Sequence, residues 1–270
     1  MSKATKSNWQ YIVWFLFYFL LFSLLTFGVA IPIYLVTVPL AFSSSAEKMW
    51  RRISGIRPLR LRREMERLVP LFKEVYTGAF RTDPTLSRHI KLYIKEDMSI
   101  NAFAFGKSSM IITRGSLELL SDDCLKGLMA HEFGHFAHGD TIASLFATVS
   151  NLFLSLAVKT TTDLKARYER NENGGLLHGA LKGLCDFVYY IFRGFQFLGD
   201  VILMRHSRKQ EYMADDFAER AGFGKELTEV LLEIYGVAIE RPQSVKEQLR
   251  STHPHITLRI AQLERGSYSK

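Results

Sequence analysis

Charge is missing from residues 9–46: no Asp, Glu, Lys, Arg or His interrupts that stretch. So long an uncharged apolar run is membrane-embedded rather than part of a water-facing surface. It is too long and too apolar for a secretory signal, and no small-residue cleavage site follows a short apolar stretch. Cysteine is scarce, with only Cys124 and Cys185 in 270 residues. That scarcity excludes a disulfide framework. Neither thiol has a metal-ligand neighbour in sequence, so both read as reduced packing residues. No internal repeat or low-complexity tract stands out, which excludes a repeat array.

The chain is long enough for one sizeable core, or for a modest core plus membrane segments. A single span needs about 20 residues, and the uncharged run is well short of two spans with a generous loop. Gly28 and Pro32 suit a tight hairpin, with residues 9–27 going in and 31–42 coming back. Lys48, Arg51, Arg52, Arg57, Arg60, Arg62 and Arg63 crowd the C-terminal flank, and Lys3 and Lys6 precede the run. Cations on both flanks place both ends in the cytoplasm and favour the hairpin over a single span. The net charge of +8 is mostly this cluster. Beside a bilayer such a cluster meets anionic lipid headgroups, so the lipid bilayer is the expected partner and nucleic acid is not.

Downstream, Met65, Leu68, Val69, Phe72 and Tyr76 share one face of an amphipathic helix over residues 62–76. Residues 90–94, 100–105 and 109–113 read as short strands, the last two joined by a Gly106-Lys107-Ser108 turn. A small sheet therefore precedes the next helix, and its edge suits pairing with an extended peptide. Two further apolar stretches cover residues 141–158 and 184–204. The second carries Asp186, Arg193 and Asp200, each costing ~3 kcal/mol at a bilayer centre, so it does not read as lipid-facing throughout. The fold class is mainly α with a small β-sheet (α+β). The expected segments are 1–46, a transmembrane anchor or hairpin; 47–140, the basic segment, amphipathic helix, sheet and metal helix; 141–204, a membrane-associated helical hairpin; and 205–270, a helical part.

The most informative residues are His131-Glu132-Phe133-Gly134-His135. On a helix the two histidines lie one turn apart on one face. That spacing lets two neutral imidazoles hold one zinc ion, with Glu132 beside it to take a proton from water. Ser121 is the expected N-cap, Asp122 and Asp123 favour the helix N-terminus, and Gly139 is placed to end the helix. Two histidines do not close a catalytic zinc site, for which three protein ligands are usual. An extension of the HExxHxxGxxH kind is excluded, since His138 and Thr141 stand where Gly and His are needed. The best remaining third ligand is Glu211. Asp215, one turn on, is placed to accept the second ring N–H of a ligating histidine. Ala214 is small enough to let two helices approach.

Taken together, Asn101-Ala-Phe-Ala104, Ile111-Ile-Thr-Arg-Gly115, Ala130 to His135 with Gly139-Asp140, Arg208 to Asp215, and His253-Pro254 with Arg259 resemble the HtpX-type membrane zinc metallopeptidases. These are zincin-like relatives of the CAAX prenyl proteases and the Oma-type mitochondrial enzymes. The resemblance spans residues 100–260. It implies one zinc per chain on His131, His135 and Glu211, with Glu132 as general base and then acid. Asn101 and Ala102 would lie on the strand that receives the backbone of a protein or peptide substrate. His253 would stabilise the oxyanion or cap the zinc at rest, with Arg259 nearby, and Asp215 would steady a ligand. The implied protein is a zinc endopeptidase of the bacterial cytoplasmic membrane, its site facing the cytoplasm, serving membrane protein quality control. Alternatives are a processing protease for one peptide or lipoprotein, or a non-catalytic zinc-binding membrane scaffold. Two departures stand out: the apolar run is shorter than two clear spans, and Cys124 replaces a more usual acidic residue. The chain is also too short for the many spans of a prenyl protease.

Overall fold

The computed structural model describes residues 9–25, 30–41, 43–142, 158–167, 169, 175–239 and 256–268. Two apolar helices open it, α1 (Trp9–Leu25) and α2 (Ala30–Ala41), and they contact each other. A short helix, α3 (Ser44–Ile53), follows, capped by the Ser43 hydroxyl accepting from Ala46 N–H at 3.1 Å. Among the described residues, no helix is long and apolar enough to cross a membrane; α1 has 17 residues. Most of the expected 141–158 stretch lies outside the described residues.

The alternating segments become a four-stranded sheet with order β1-β2-β4-β3, built from β1 (Ile56–Pro58), β2 (Lys91–Lys95), β3 (Ala102–Phe105) and β4 (Ser109–Thr113). β2 runs parallel to β4, pairing Tyr93 with Ile111, whereas β3 returns antiparallel to β4, pairing Phe103 with Ile111. β4 is buried along its whole length, which explains its run of Met110, Ile111 and Ile112. β3 begins later than the apolar run at Ile100 suggests. The Asn101 N–H bonds the Ser116 hydroxyl at 2.7 Å, and Asp97 accepts from Ser99 N–H at 3.0 Å, so a turn takes up residues 97–101. β1 was not expected at all: its segment reads as part of a headgroup-facing basic cluster.

Two of that cluster's cations are spent inside the protein instead. Arg57 grips the Glu64 carboxylate at 2.6 and 2.9 Å, and Arg51 pairs with Glu47 at 2.8 Å and lies over the Tyr93 ring at 4.4 Å. Glu64 is 2% exposed and also takes Arg114 at 2.9 Å. The Arg57 hydrogen bond outweighs burial and holds this carboxyl at about 2. Glu64 thereby ties β1 and α5 (Arg114–Leu119) to the start of α4 (Arg62–Thr82). That helix continues past Tyr76 because Val75 and Ala79 are fully buried in the same core stripe.

α4 and the sheet enclose α6 (Asp122–His138), which is buried nearly all round, with Leu125, Met129 and Phe133 at zero exposure. The Phe133 ring meets Phe72 at 5.5 Å and Tyr76 at 5.7 Å. The other side of α6 is covered by α7 (Leu176–Arg220) and α8 (Gly224–Ile239), and α9 (Ile256–Tyr268) closes the core with Ile260 and Leu263. α7 is one helix of 45 residues, roughly 68 Å long at 1.5 Å per residue. The segment boundary expected at 204/205 therefore falls inside a continuous helix. The hydropathy change there marks a change in what surrounds the helix, and the backbone has no break.

Candidate metal centre

Local chemistry fixes α6 at both ends. The Ser121 hydroxyl accepts from Cys124 N–H at 3.1 Å, and Gly139 closes the helix in the left-handed region at φ 72°. The reversal at Gly139 carries Asp140 back over the last turn, onto His135. α7 crosses the same stretch of α6 with its backbone almost touching: a Cβ on Gly134 would lie 2.7 Å from Ala214 Cα. This close approach sets Glu211 opposite the two histidines.

Three side chains then face one another. His131 Nε2 and His135 Nε2 are 3.2 Å apart, and the Glu211 carboxylate oxygens lie 3.4 and 3.7 Å from them. Each imidazole has its other nitrogen engaged: His131 Nδ1 by Asp215 at 2.9 Å and His135 Nδ1 by Asp140 at 3.0 Å. With both Nδ1–H groups donated to carboxylates, Nε2 is the atom on each ring left to hold a metal or a proton. Two lone pairs and a carboxylate crowding one point are electrostatically unfavourable unless a cation joins them, and a divalent ion with His and Glu ligands suits that donor set. The residues present fit zinc.

Outside this ring stands a second tier. Arg259, 8% exposed, reaches Asp215 through two hydrogen bonds of 2.6 and 2.8 Å and Glu211 at 3.1 Å. Gln210 donates to the second carboxylate oxygen of Asp140 at 2.7 Å. Burial and the Arg259 charge pull the His131 imidazole down, but hydrogen bonds to Asp215 and Glu211 outweigh them and push it up to about 10. A proton is therefore the competitor that a metal must displace. Burial pushes Asp215 up, and its bonds to His131 and Arg259 more than reverse this, holding it below the usual carboxylate range.

Glu132 lies beside the centre, its carboxylate and both imidazoles within 4.8 Å of one another. One of its oxygens takes the Ala104 N–H of β3 at 2.7 Å, so Glu211 is the better third ligand. Burial raises the Glu132 carboxyl, against the opposing pull of the imidazoles. That direction suits a group that must accept and return a proton.

The backbone of β3 divides by parity. The Asn101 carbonyl accepts from Thr113 N–H at 3.1 Å, so Asn101 and Phe103 turn towards β4, and Ala102 and Ala104 turn outward from the sheet edge. A cavity of about 640 Å³ opens between this edge and the centre, with an apolar wall of Leu128, Leu227, Val230, Leu231, Ile234 and Ile256. The structure thus brings together His131, Glu132, His135, Glu211, Asp215 and Arg259, with Ala102 on the facing strand. Asn101 lines the same cavity but commits its backbone to β4 and Ser116. His253 lies outside the described residues. Sequence reasoning missed Asp140 and Gln210 as partners of the centre. Gly139 before Asp140 was the available signal, since a left-handed cap forces the next side chain back over the helix.

A model of peptidase family M48 matches residues 63–266. Among curated relatives, a protease HtpX homolog of Bacillus licheniformis is 28% identical over 196 residues, covering 66% of this chain and 64% of the relative. A homolog from Neisseria meningitidis serogroup B is 30% identical, covering 61% and 62%. Protease HtpX of Shewanella baltica is 30% identical, covering 64% and 66%. The chain thus spans roughly two thirds or less of the length of these relatives. The crystal structure of Ste24p from S. mikatae shares the fold with a TM-score of 0.54 at 18% identity, covering 96% of this chain and 63% of that one.

Proposed function

The chain belongs to peptidase family M48, and from that premise we propose that it is a membrane-bound zinc endopeptidase. The observation that carries the reading is the convergence of His131 Nε2, His135 Nε2 and Glu211 within 3.2–3.7 Å, with Glu132 between that point and the outer edge of β3. Zinc held by His131, His135 and Glu211 would supply a Lewis acid that acidifies water and polarises the scissile carbonyl.

The chain's own residues do the rest. An extended substrate adds to β3, pairing with the outward backbone groups of Ala102 and Ala104. When a substrate carbonyl takes the Ala104 N–H, the Glu132 carboxylate is released from it. Glu132 then takes the proton of the attacking water and passes it to the leaving amine. Asp215 and Asp140 hold the two imidazoles in the tautomer that presents Nε2, and Arg259 keeps Asp215 ionised. The Leu128–Val230–Ile256 wall accepts an apolar side chain next to the scissile bond. His253 keeps its expected role at the oxyanion.

Membrane attachment is supported by apolar side chains that face outward in regular stripes. On α1 these are Trp9, Val13, Leu16, Phe17 and Leu20; on α2, Leu35, Val36 and Leu40; on α7, Leu184, Phe187, Ile191 and Phe197. The flanking cations favour a cytoplasmic site. The biological task we propose is clearance of damaged membrane proteins, to be tested by profiling the proteins that accumulate in a deletion strain. Casein cleavage by the detergent-purified chain with zinc, compared with Glu132→Gln, tests the chemistry. Loss of turnover with zinc still bound is expected; equal cleavage by both would sink the assignment.

A further inference from the structure

α3 has two faces with different tasks. Its inner face is fastened to the β3–β4 hairpin. Trp50 stacks on Phe105 at 3.9 Å between ring centroids and meets Phe103 edge-on at 6.3 Å. Glu47 accepts from Lys107 N–H at 3.4 Å and from the Ser109 hydroxyl, and Arg51 donates to the same hydroxyl at 2.6 Å. Gly106, at φ 61°, leaves the room that the Glu47 carboxylate occupies.

The outer face carries Lys48 and Arg52 one turn apart, beside Met49 at 58% and Ile53 at 77% exposure. Among the described residues, neither cation makes an ion pair. A strip of alternating cationic and long apolar side chains matches one surface in particular: an anionic bilayer, whose headgroups meet the cations while the apolar chains dip below them. Continuity agrees, since α3 follows directly on the apolar helix α2 and contacts it.

We propose that α3 is an in-plane interfacial helix that reads anionic lipid through Lys48 and Arg52, and that its grip on β3 makes the candidate site respond to that lipid. This rests on the membrane reading, and for its effect on rate on the peptidase reading. The edge strand that would receive substrate is held from one side by α6, through the Ala104–Glu132 contact of 2.7 Å, and the turn after it by Thr141, just beyond α6, through its 2.7 Å bond to the Gly106 carbonyl; α3 holds it from the other side. Lipid that pins α3 therefore steadies one of the two walls of the cavity. Each cation near an anionic bilayer is worth about a five-fold preference, so the pair is worth about twenty-five-fold.

The test uses the full chain reconstituted in vesicles of phosphatidylcholine, with or without a third of phosphatidylglycerol. A polarity-sensitive dye on Met49→Cys, in a Cys185→Ser background, should shift to the blue in the anionic vesicles. The shift should shrink in high salt and disappear in the Lys48→Gln/Arg52→Gln double variant. Casein cleavage should be several-fold faster in the anionic vesicles, and the double variant should keep only the neutral-vesicle rate. Trp50→Leu should retain the dye shift and lose the lipid dependence of the rate. A dye that stays in water in both lipids overturns the interfacial helix, as does a shift indifferent to Lys48 and Arg52. A rate dependence that survives Trp50→Leu overturns the coupling. If casein is uncut in every vesicle, the peptidase reading is at fault, and the dye alone decides whether α3 reads lipid.

Discussion

The two ends of α7 are made from one uninterrupted helix yet obey opposite burial rules. Towards its N-terminus, Leu184, Phe187 and Phe197 stand 57–71% exposed. Towards its C-terminus, Gln210, Glu211 and Asp215 are 1–4% exposed. Apolar side chains outside and carboxylates inside is the reverse of an ordinary soluble helix. The contrast teaches that burial follows available partners rather than polarity alone. The inner carboxylates have Arg259, two imidazoles and a place for a metal, whereas the outer apolar side chains are suited to lipid.

The sharpest way to break this contrast is to remove the inner end's chief reason for being charged. Glu211→Gln should cost roughly a hundred- to a thousand-fold in zinc affinity, one ligand's share of the total binding energy, read by chelator competition. Near-parental affinity would mean that Glu211 is not a ligand. Glu64 offers the same inversion away from any metal. Glu64→Gln should lower stability by roughly 2–3 kcal/mol at pH 7, since Arg57 and Arg114 lose a buried partner. The folded-state pKa of Glu64 is about 2, below its ordinary 4.5. Its contribution is therefore fully present above pH 4.5 and lost as pH falls towards 2. Denaturation midpoints of parent and variant should differ at pH 7 and converge near pH 2.

Between the two imidazole supports, Asp215→Asn should weaken zinc binding 10–100-fold, because it disturbs the His131 tautomer and the Arg259 pairing together. Gln210→Leu should cost less than about ten-fold, since it removes only a neutral donor to Asp140. An equal loss in both would show that the two histidines are held alike. The smallest effect is expected at the outer end. Phe187→Gln with Phe197→Gln should change the unfolding midpoint in detergent by less than about 0.5 kcal/mol, while making the chain easier to extract from membranes. A large loss of stability would mean that protein, and not lipid, covers those rings.

Much of this arrangement is written locally and can be read locally. Ser121, Gly139 and the 3.6-residue spacing give the bounds of the metal helix to the residue, and β4 is equally plain from Ser109 to Thr113. What escaped reading depends on contacts between distant segments. Arg57 looks like one more juxtamembrane cation until Glu64 and Glu96 meet it across the fold. α7 looks like two segments because hydropathy changes near residue 204, although nothing in its backbone chemistry requires a break there. Asp140 needs the reversal at Gly139 to reach His135, and Gln210 needs two helices in register. The family resemblance made Glu211 and Arg259 legible where spacing alone could only nominate them.

One hydrogen atom carries a further consequence. Gly134 sits within the motif yet binds nothing; it lets α7 come as near as Ala214 does. The donors of the centre are split between two helices, so their reach is gauged by that gap, and zinc tolerates only about 0.2 Å of error in its bonds. A methyl group at residue 134 would widen the gauge and favour a larger ion, with every ligand unchanged. The identity of the metal is thus partly specified by a residue with no side chain.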